Sequence, residues 1–316
     1  MNMIRGIDHI TICVSNMEKA LHFYQEILGF KKVMFDYSGN LTGMDKIVGK
    51  SNVKARIMLL KSENIGPLGQ GMIKLIQFLP PFRAKPINVE HVWSDIGISE
   101  VAINVINIEK VLAKIKDNNI EIVLPPQHDT FDNKEVIYAY IRDPDGSLLE
   151  LVEWVKCKDF LRGTRIEGVN HVSIGVNDME KSLHFYRDIF GFQEVFLDST
   201  GLVILPPALK REGTPDSLNL RLVMLANNYC NGWLEMAQHV PPYKPKHKLV
   251  YPEWAHIGHV EFSIGVSNID KVHEELRRKN VEFVCTPQIV NFPSLGEWKF
   301  AYVADPDGLF VSLVEY

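Results

Sequence analysis

The sequence lacks any apolar run near the roughly 20 residues needed to cross a bilayer, so a membrane partner is not expected. Its N-terminal residues, MNMIRGIDH, enter a strand without an apolar signal segment, and export is not expected either. Cysteine is scarce: Cys13, Cys157, Cys230 and Cys285 lie far apart with no CxxC pair. That spacing argues against a thiolate zinc knot or a disulfide framework and fits reduced thiols in a cytoplasm. Charge of one sign is equally lacking. Lys and Arg are scattered and the net charge is −5, so there is no electrostatic footprint for nucleic acid. What is present, 46% hydrophobic and 23% charged residues over 316 positions, suffices for the cores of two ordinary domains.

The chain is organised by a repeated phrase. Gly6–Phe30, GIDHITICVSNMEKALHFYQEILGF, returns at Gly168–Phe192 as GVNHVSIGVNDMEKSLHFYRDIFGF, with fainter copies opening at Gly97 and Gly258. A marker, Val-x-(Asn/Asp)-(Met/Ile)-(Glu/Asp)-Lys, recurs at Val14, Val105, Val176 and Val266, so one unit occurs four times. Each marker opens a helix. Ser15 stands three residues before Glu18, the capping-box spacing, and Asn107, Asn177 and Ser267 are the matching cap candidates. Apolar residues at three-to-four spacing then predict an amphipathic helix over Met17–Leu28, stopped by Gly29.

The stretch before each helix alternates with period two, as a strand with unlike faces does. Ile10, Ile12 and Val14 lie on the apolar face of the first copy, and His9, Thr11 and Cys13 on the other. His9, Glu100, His171 and Glu261 hold the equivalent position on the less apolar face. Short extended runs follow each helix and end in a strand, so every unit reads β-α-β-β-β. A longer repeat links the units in pairs: DPDGSLLELVEW at Asp143–Trp154 returns as DPDGLFVSLVEY at Asp305–Tyr316. The two DPDG segments read as tight turns. The predicted domains are therefore 1–156, holding modules 1 and 2, and 157–316, holding modules 3 and 4, with the boundary in the polar Lys156–Thr164.

The strand-opening histidine in DHITICV and NHVSIGV, the MEKxLHFY…GF helix, the DPDG turn and the glutamate-bearing final strand together resemble the vicinal oxygen chelate superfamily. Its members include glyoxalases, epimerases, extradiol dioxygenases and bleomycin resistance proteins, and the resemblance covers essentially the whole chain. It implies an α+β fold in which βαβββ modules pair into half-open barrels around a divalent metal. Ligands come from the first and last strands of each module. Carried onto this sequence, those positions are His9, Lys74, Glu100 and Glu150 in the first half, and His171, Glu235, Glu261 and Ser312 in the second.

The C-terminal half is expected to be active, with His171, Glu235 and Glu261 as ligands, because Lys74 would repel a dication in the other half. His9, Glu100 and Glu150 are the second or degenerate set. His239, His259, Tyr302 and Ser312 are candidate catalytic or supporting residues, and Tyr140 matches Tyr302 between the halves. One imidazole with carboxylates suits Fe(II), favoured here, or Mn(II), Co(II), Ni(II) or Zn(II), with open positions for a substrate. The resemblance then implies an enzyme acting on a small oxygenated, catechol-like molecule, an extradiol-type dioxygenase as the first reading. A redox-neutral isomerase or lyase is the alternative, and a metal-free binding or resistance protein the third. The expected partner is a small molecule, and both monomer and homo-oligomer fit the sequence.

Overall fold

The structure is a computed structural model and describes residues 3–64, 66, 70–87, 93–131, 134–155, 163–210, 214–227, 232–242, 254–292 and 296–316. Cys157, Cys230 and most of the predicted boundary segment lie outside the described residues. Module 1 contributes β1 (Ile4–Cys13), β2 (Lys32–Asn40), β3 (Lys54–Lys61) and β4 (Met72–Phe78). Module 2 contributes β5 (Gly97–Ile106), β6 (Ile122–Phe131), β7 (Lys134–Arg142) and β8 (Leu148–Trp154). Module 3 contributes β9 (Arg165–Gly175), β10 (Glu194–Ile204), β11 (Ser217–Ala226) and β12 (Trp233–His239). Module 4 contributes β13 (Gly258–Val266), β14 (Phe283–Phe292), β15 (Gly296–Ala304) and β16 (Phe310–Glu315). The βαβββ reading holds in all four modules, and the chain is α+β as expected.

The pairing of the modules departs from the sequence reading. Among the described residues the strands form two eight-stranded sheets, one ordered β14-β15-β16-β13-β1-β4-β3-β2 and the other β10-β11-β12-β9-β5-β8-β7-β6. Module 1 therefore shares a sheet with module 4, and module 2 with module 3. The expected barrels, modules 1 with 2 in 1–156 and 3 with 4 in 157–316, are corrected in their pairing: each half-barrel draws one module from each half of the sequence. Connection length accounts for this. The link of residues 155–164 is short and its flanking strands β8 and β9 lie in one sheet, whereas the strands flanking the longer 79–96 and 240–257 lie in different sheets.

The helices carry the complementary pairing. They are α1 (Met17–Leu21), which widens into a π-helix over His22–Ile27, the short α2 (Asp45–Val48), α3 (Ile108–Asp117), α4 (Met179–Leu183), which widens likewise over His184–Ile189, and α5 (Ile269–Arg278). From the π-helical turn after α1, the Tyr24 hydroxyl donates to Asp143 Oδ2 in module 2 at 2.9 Å. Tyr186 does the same to Asp305 in module 4 at 2.8 Å. Helices thus tie module 1 to 2 and 3 to 4, while sheets tie 1 to 4 and 2 to 3. Ile10, Ile12, Val101, Ile103, Val172, Ile174, Phe262 and Ile264 from the convex sheet faces join these helices in one apolar cluster. Each such fully buried side chain contributes about 1.5–3 kcal/mol.

The helix starts differ by one residue from the predicted caps. Asn16 Oδ1, not Ser15, accepts from Lys19 N at 3.0 Å, because only the residue adjoining the first turn reaches that N–H. Asp178 and Asn268 likewise cap α4 and α5 in place of Asn177 and Ser267. Asn107 does precede α3, but its side chain makes no cap bond; Glu153 on β8 takes the N–H groups of Asn107 and Ile108, both at 3.0 Å. No described helix is long and apolar enough to cross a membrane.

Candidate metal centre

Register decides which side chains meet. Within each module the first and last strands run parallel, and between paired modules the two first strands run antiparallel. On the concave face of the module 2–3 sheet, Glu150 is level with Ala102 and Ala102 with His171. Two residues along, Glu100 is level with Ser173 and Ser173 with Glu235. One histidine and three glutamates therefore converge from β5, β8, β9 and β12. Ligand atoms of Glu100, Glu150 and His171 all lie within 4.8 Å of one another, and Glu235 lines the same pocket.

The electrostatics of this cluster fit a cation. Glu100, Glu150 and His171 are buried and Glu235 is half-buried, and burial is the main force on the proton affinity of each. Burial, reinforced by the charge of Glu235, pushes the Glu100 carboxyl up to about 8, while contacts with Trp93 and Tyr140 pull weakly the other way. Burial raises Glu150 well above the usual carboxylate range, helped by Glu100 and Glu235. Glu235 is raised by burial and partly relieved by Ser173, whose hydroxyl donates to Oε1 at 2.9 Å. Burial lowers His171 to about 3, so its ring is neutral. Asn170 Oδ1 sits 2.8 Å from His171 Nδ1 and fixes the tautomer that leaves Nε2 as an acceptor facing the carboxylates.

Glu100 Oε2, Glu150 Oε2 and His171 Nε2 are buried with no hydrogen-bond partner, though His171 Nε2 and Glu150 Oε2 are 3.3 Å apart. Lone pairs so placed are costly unless something electron-poor sits between them. A divalent cation satisfies all three and reverses the mutual repulsion, so the residues present fit the metal that the resemblance implies.

That fit has a measurable consequence. The folded metal-free protein holds the Glu100 proton up to about pH 8, whereas an unfolded chain releases it near the usual carboxylate value. Stability in chelator should therefore decline as pH rises through this window, with the melting temperature falling by about 5–10 °C between pH 5 and pH 8. Excess divalent metal should abolish the decline, and a flat profile in chelator, read by calorimetry, would contradict the cluster.

The module 1–4 barrel has the same four positions with different occupants. His9 is level with Ser263 and Ser263 with Ser312; Lys74 is level with Thr11 and Thr11 with Glu261. Lys74 Nζ donates to Glu261 Oε1 at 2.6 Å, Thr11 Oγ1 donates to the same oxygen at 2.8 Å, and Trp254 Nε1 donates to Oε2 at 3.0 Å. His9 Nε2 contacts Ser263 Oγ at 2.8 Å and its Nδ1 lies 2.6 Å from Asp8 Oδ1. Every ligand position is thus already engaged, and an ammonium occupies the place of the cation.

Neither predicted ligand set survives intact. Glu261 belongs to the Lys74 ion pair and not to His171 and Glu235; His9 lies in that same barrel, away from Glu100 and Glu150. Both sets require contiguous modules to share a barrel, which the sheet order excludes. His239 is hydrogen-bonded to Ser94 at 3.0 Å and is not among the pocket-lining residues. His259 is half-buried on β13, in the other sheet. Tyr302 and Ser312 are buried in the module 1–4 barrel, Tyr302 against Glu261 and Ser312 against Ser263. Tyr140, matched to Tyr302 in the sequence, instead reaches Glu100 in the cluster. Asn170 was missed, although an amide or carboxylate precedes both histidines, in NH and DH, and signals a partner for the ring.

The pocket above the cluster has a volume of about 670 Å³ and is walled by aromatic and thioether side chains, among them Tyr138, Tyr140, Trp154, Phe196 and Met224. Fold and site together define a protein of paired βαβββ modules with a buried imidazole–carboxylate cluster in one of two half-barrels. The chain belongs to the Glyoxalase/Bleomycin resistance protein/Dioxygenase superfamily, whose family model matches residues 6–151 and again 168–313. It is 30% identical over 154 residues to Virulence protein STM3117 of Salmonella typhimurium, a match spanning 48% of this chain and 87% of that protein. It is 28% identical over 150 residues to YwkD of Bacillus subtilis, spanning 48% of this chain and 98% of that one. Glyoxalase I from Zea mays has a similar fold along nearly the entire length, with a TM-score of 0.59, 19% identity, and 98% and 92% of the two chains covered.

Proposed function

We propose that the module 2–3 barrel is a divalent-metal enzyme of the redox-neutral isomerase or lyase type, moving a proton beside a carbonyl in a small oxygenated substrate. The observation that carries this reading is the donor set itself: one imidazole and three carboxylates, of which Glu100 is contacted by Trp93 and Tyr140 and Glu235 by Ser173, whereas Glu150 Oε2 has no hydrogen-bond partner. His171, Glu100 and Glu235 would hold the ion, with Glu150 at the fourth position, and the bound ion supplies Lewis acidity to the substrate's neighbouring oxygens. Three carboxylates favour an oxygen-preferring ion such as Mn(II) or Fe(II) over Zn(II).

Glu150 Oε2 takes the proton from the carbon next to the carbonyl and returns it to the adjacent atom. Burial and the neighbouring carboxylates raise its proton affinity, as a base that must hold the proton between the two steps requires. Ser173 steadies Glu235, and Asn170 steadies His171, so the remaining donors stay put while Glu150 titrates. The aromatic walls exclude water and receive the apolar part of the substrate. A ring-cleaving oxygenase is less well supported, because the cluster offers a single imidazole among its carboxylates.

The test is exchange with solvent. Metal-loaded protein in deuterium oxide under anoxia should place deuterium on the carbinol carbon of 2-hydroxyacetophenone, read by mass spectrometry. Glu150→Gln should keep its metal yet slow exchange by about 100-fold or more, the scale of a lost general base. Oxygen uptake with catechol, or absence of exchange across a panel of α-hydroxyketones, would overturn the reading.

A further inference from the structure

The module 1–4 barrel keeps a pocket of its own, of about 330 Å³, with the deeply buried Lys74 and Ser312 at its inner end and the exposed Ile289 and Thr42 at its mouth. Its wall is aromatic. Phe35 and Phe292 stack with centroids 4.2 Å apart, and Trp298 meets Phe35 edge-on at 5.4 Å.

The inner end is polar but carries no net charge. The Lys74 ammonium is neutralised by Glu261 at 2.6 Å, and both Glu261 oxygens are already occupied by Lys74, Thr11 and Trp254. Lys74 has three N–H donors, and its ion pair with Glu261 uses one. The Ser312 hydroxyl is linked through Ser263 to His9 and from there to Asp8. A dication would meet an ammonium in its place. A carboxylate or phosphate would have to be desolvated beside Glu261 with no uncompensated cation to receive it. An uncharged oxygen, by contrast, accepts a hydrogen bond from the ammonium at no such cost.

We propose that this second pocket is a metal-free binding site for a neutral, flat aromatic molecule bearing a hydroxyl or carbonyl oxygen, its ring against Phe292 and Trp298 and its oxygen at Lys74 and Ser312. The volume holds one or two fused rings. Aromatic stacking gives affinity here, and the ion pair gives selection against charged ligands.

The probe is 1-naphthol, measured by equilibrium dialysis against the full chain in chelator, so that the outcome is independent of the metal centre. Saturable binding of one molecule per chain is expected, weakened about tenfold or more by Ile289→Trp or by Thr42→Trp across the mouth. Both positions are exposed, and circular dichroism checks that the variants fold. Leu202→Trp, at an exposed position lining the other barrel's pocket, should leave binding unchanged, and the anion 1-naphthoate should bind about tenfold more weakly. No saturable binding, loss of binding through Leu202→Trp, or equal binding of naphthoate would each overturn the proposal.

Discussion

His171→Ala should purify without bound metal, while His9→Ala should retain the full complement of one ion per chain. The two histidines sit at equivalent places in the repeat, so their difference lies wholly in what surrounds them. His171 Nε2 has no hydrogen-bond partner and faces Glu150 at 3.3 Å with Glu100 in the same cluster. His9 Nε2 is held by Ser263 at 2.8 Å, and burial together with the Lys74 charge lowers its proton affinity. Removing the only imidazole from the first cluster should cost at least the roughly 100-fold in affinity that loss of an outer-shell partner can cost. Elemental analysis of both variants reads the result directly. Metal retained in His171→Ala, or lost in His9→Ala, would move the centre to the other barrel.

The second large effect is expected at Lys74. Lys74→Met preserves much of the side-chain volume but leaves the Glu261 carboxylate buried without its countercharge. Breaking such a pair from one side costs about 3–5 kcal/mol, so the melting temperature should fall on the order of 10 °C. Rebuilding the lost donor set offers the converse experiment. The double substitution Lys74→Glu with Ser312→Glu would give the module 1–4 barrel one histidine and three glutamates at the same register as its neighbour. Metal content should then rise from one to two ions per chain. A stoichiometry that stays at one in a folded double variant would show that strand position alone does not make the site.

The repeat made the module, its strand faces and the ligand-bearing positions legible without coordinates. Alternation in DHITICV placed His9 on the concave face, and the gapless match of GMIKLIQFLPP to GWLEMAQHVPP located Lys74 and Glu235. What periodicity could not provide was the partner of each module, because every module presents the same first-strand edge to any other. Contiguity suggested modules 1 with 2, and on that assumption the carboxylates divided evenly between the halves. The antiparallel pairing of β5 with β9 instead gathers Glu100, Glu150, His171 and Glu235 together and leaves Lys74 and Ser312 with His9 and Glu261. The shortness of residues 155–164 beside 79–96 was the available clue. Cap placement failed for a more local reason: Ser15 and Asn16 are both good caps, and the Ser15 hydroxyl donates to Asp145 Oδ1, leaving Asn16 to close the helix.

The crossed arrangement, sheets joining 1 to 4 and 2 to 3 while helices join 1 to 2 and 3 to 4, also bears on how the two barrels can diverge. If each half were a separate polypeptide meeting an identical copy, every substitution would appear in both barrels at once, and a lysine among the ligands would silence both. Joined in one chain, residue 74 and residue 235 answer to different genetic positions although they occupy the same place in the architecture. One barrel is thereby released from the other's constraints, and a cation-binding cavity can become an internal ion pair without loss of the first.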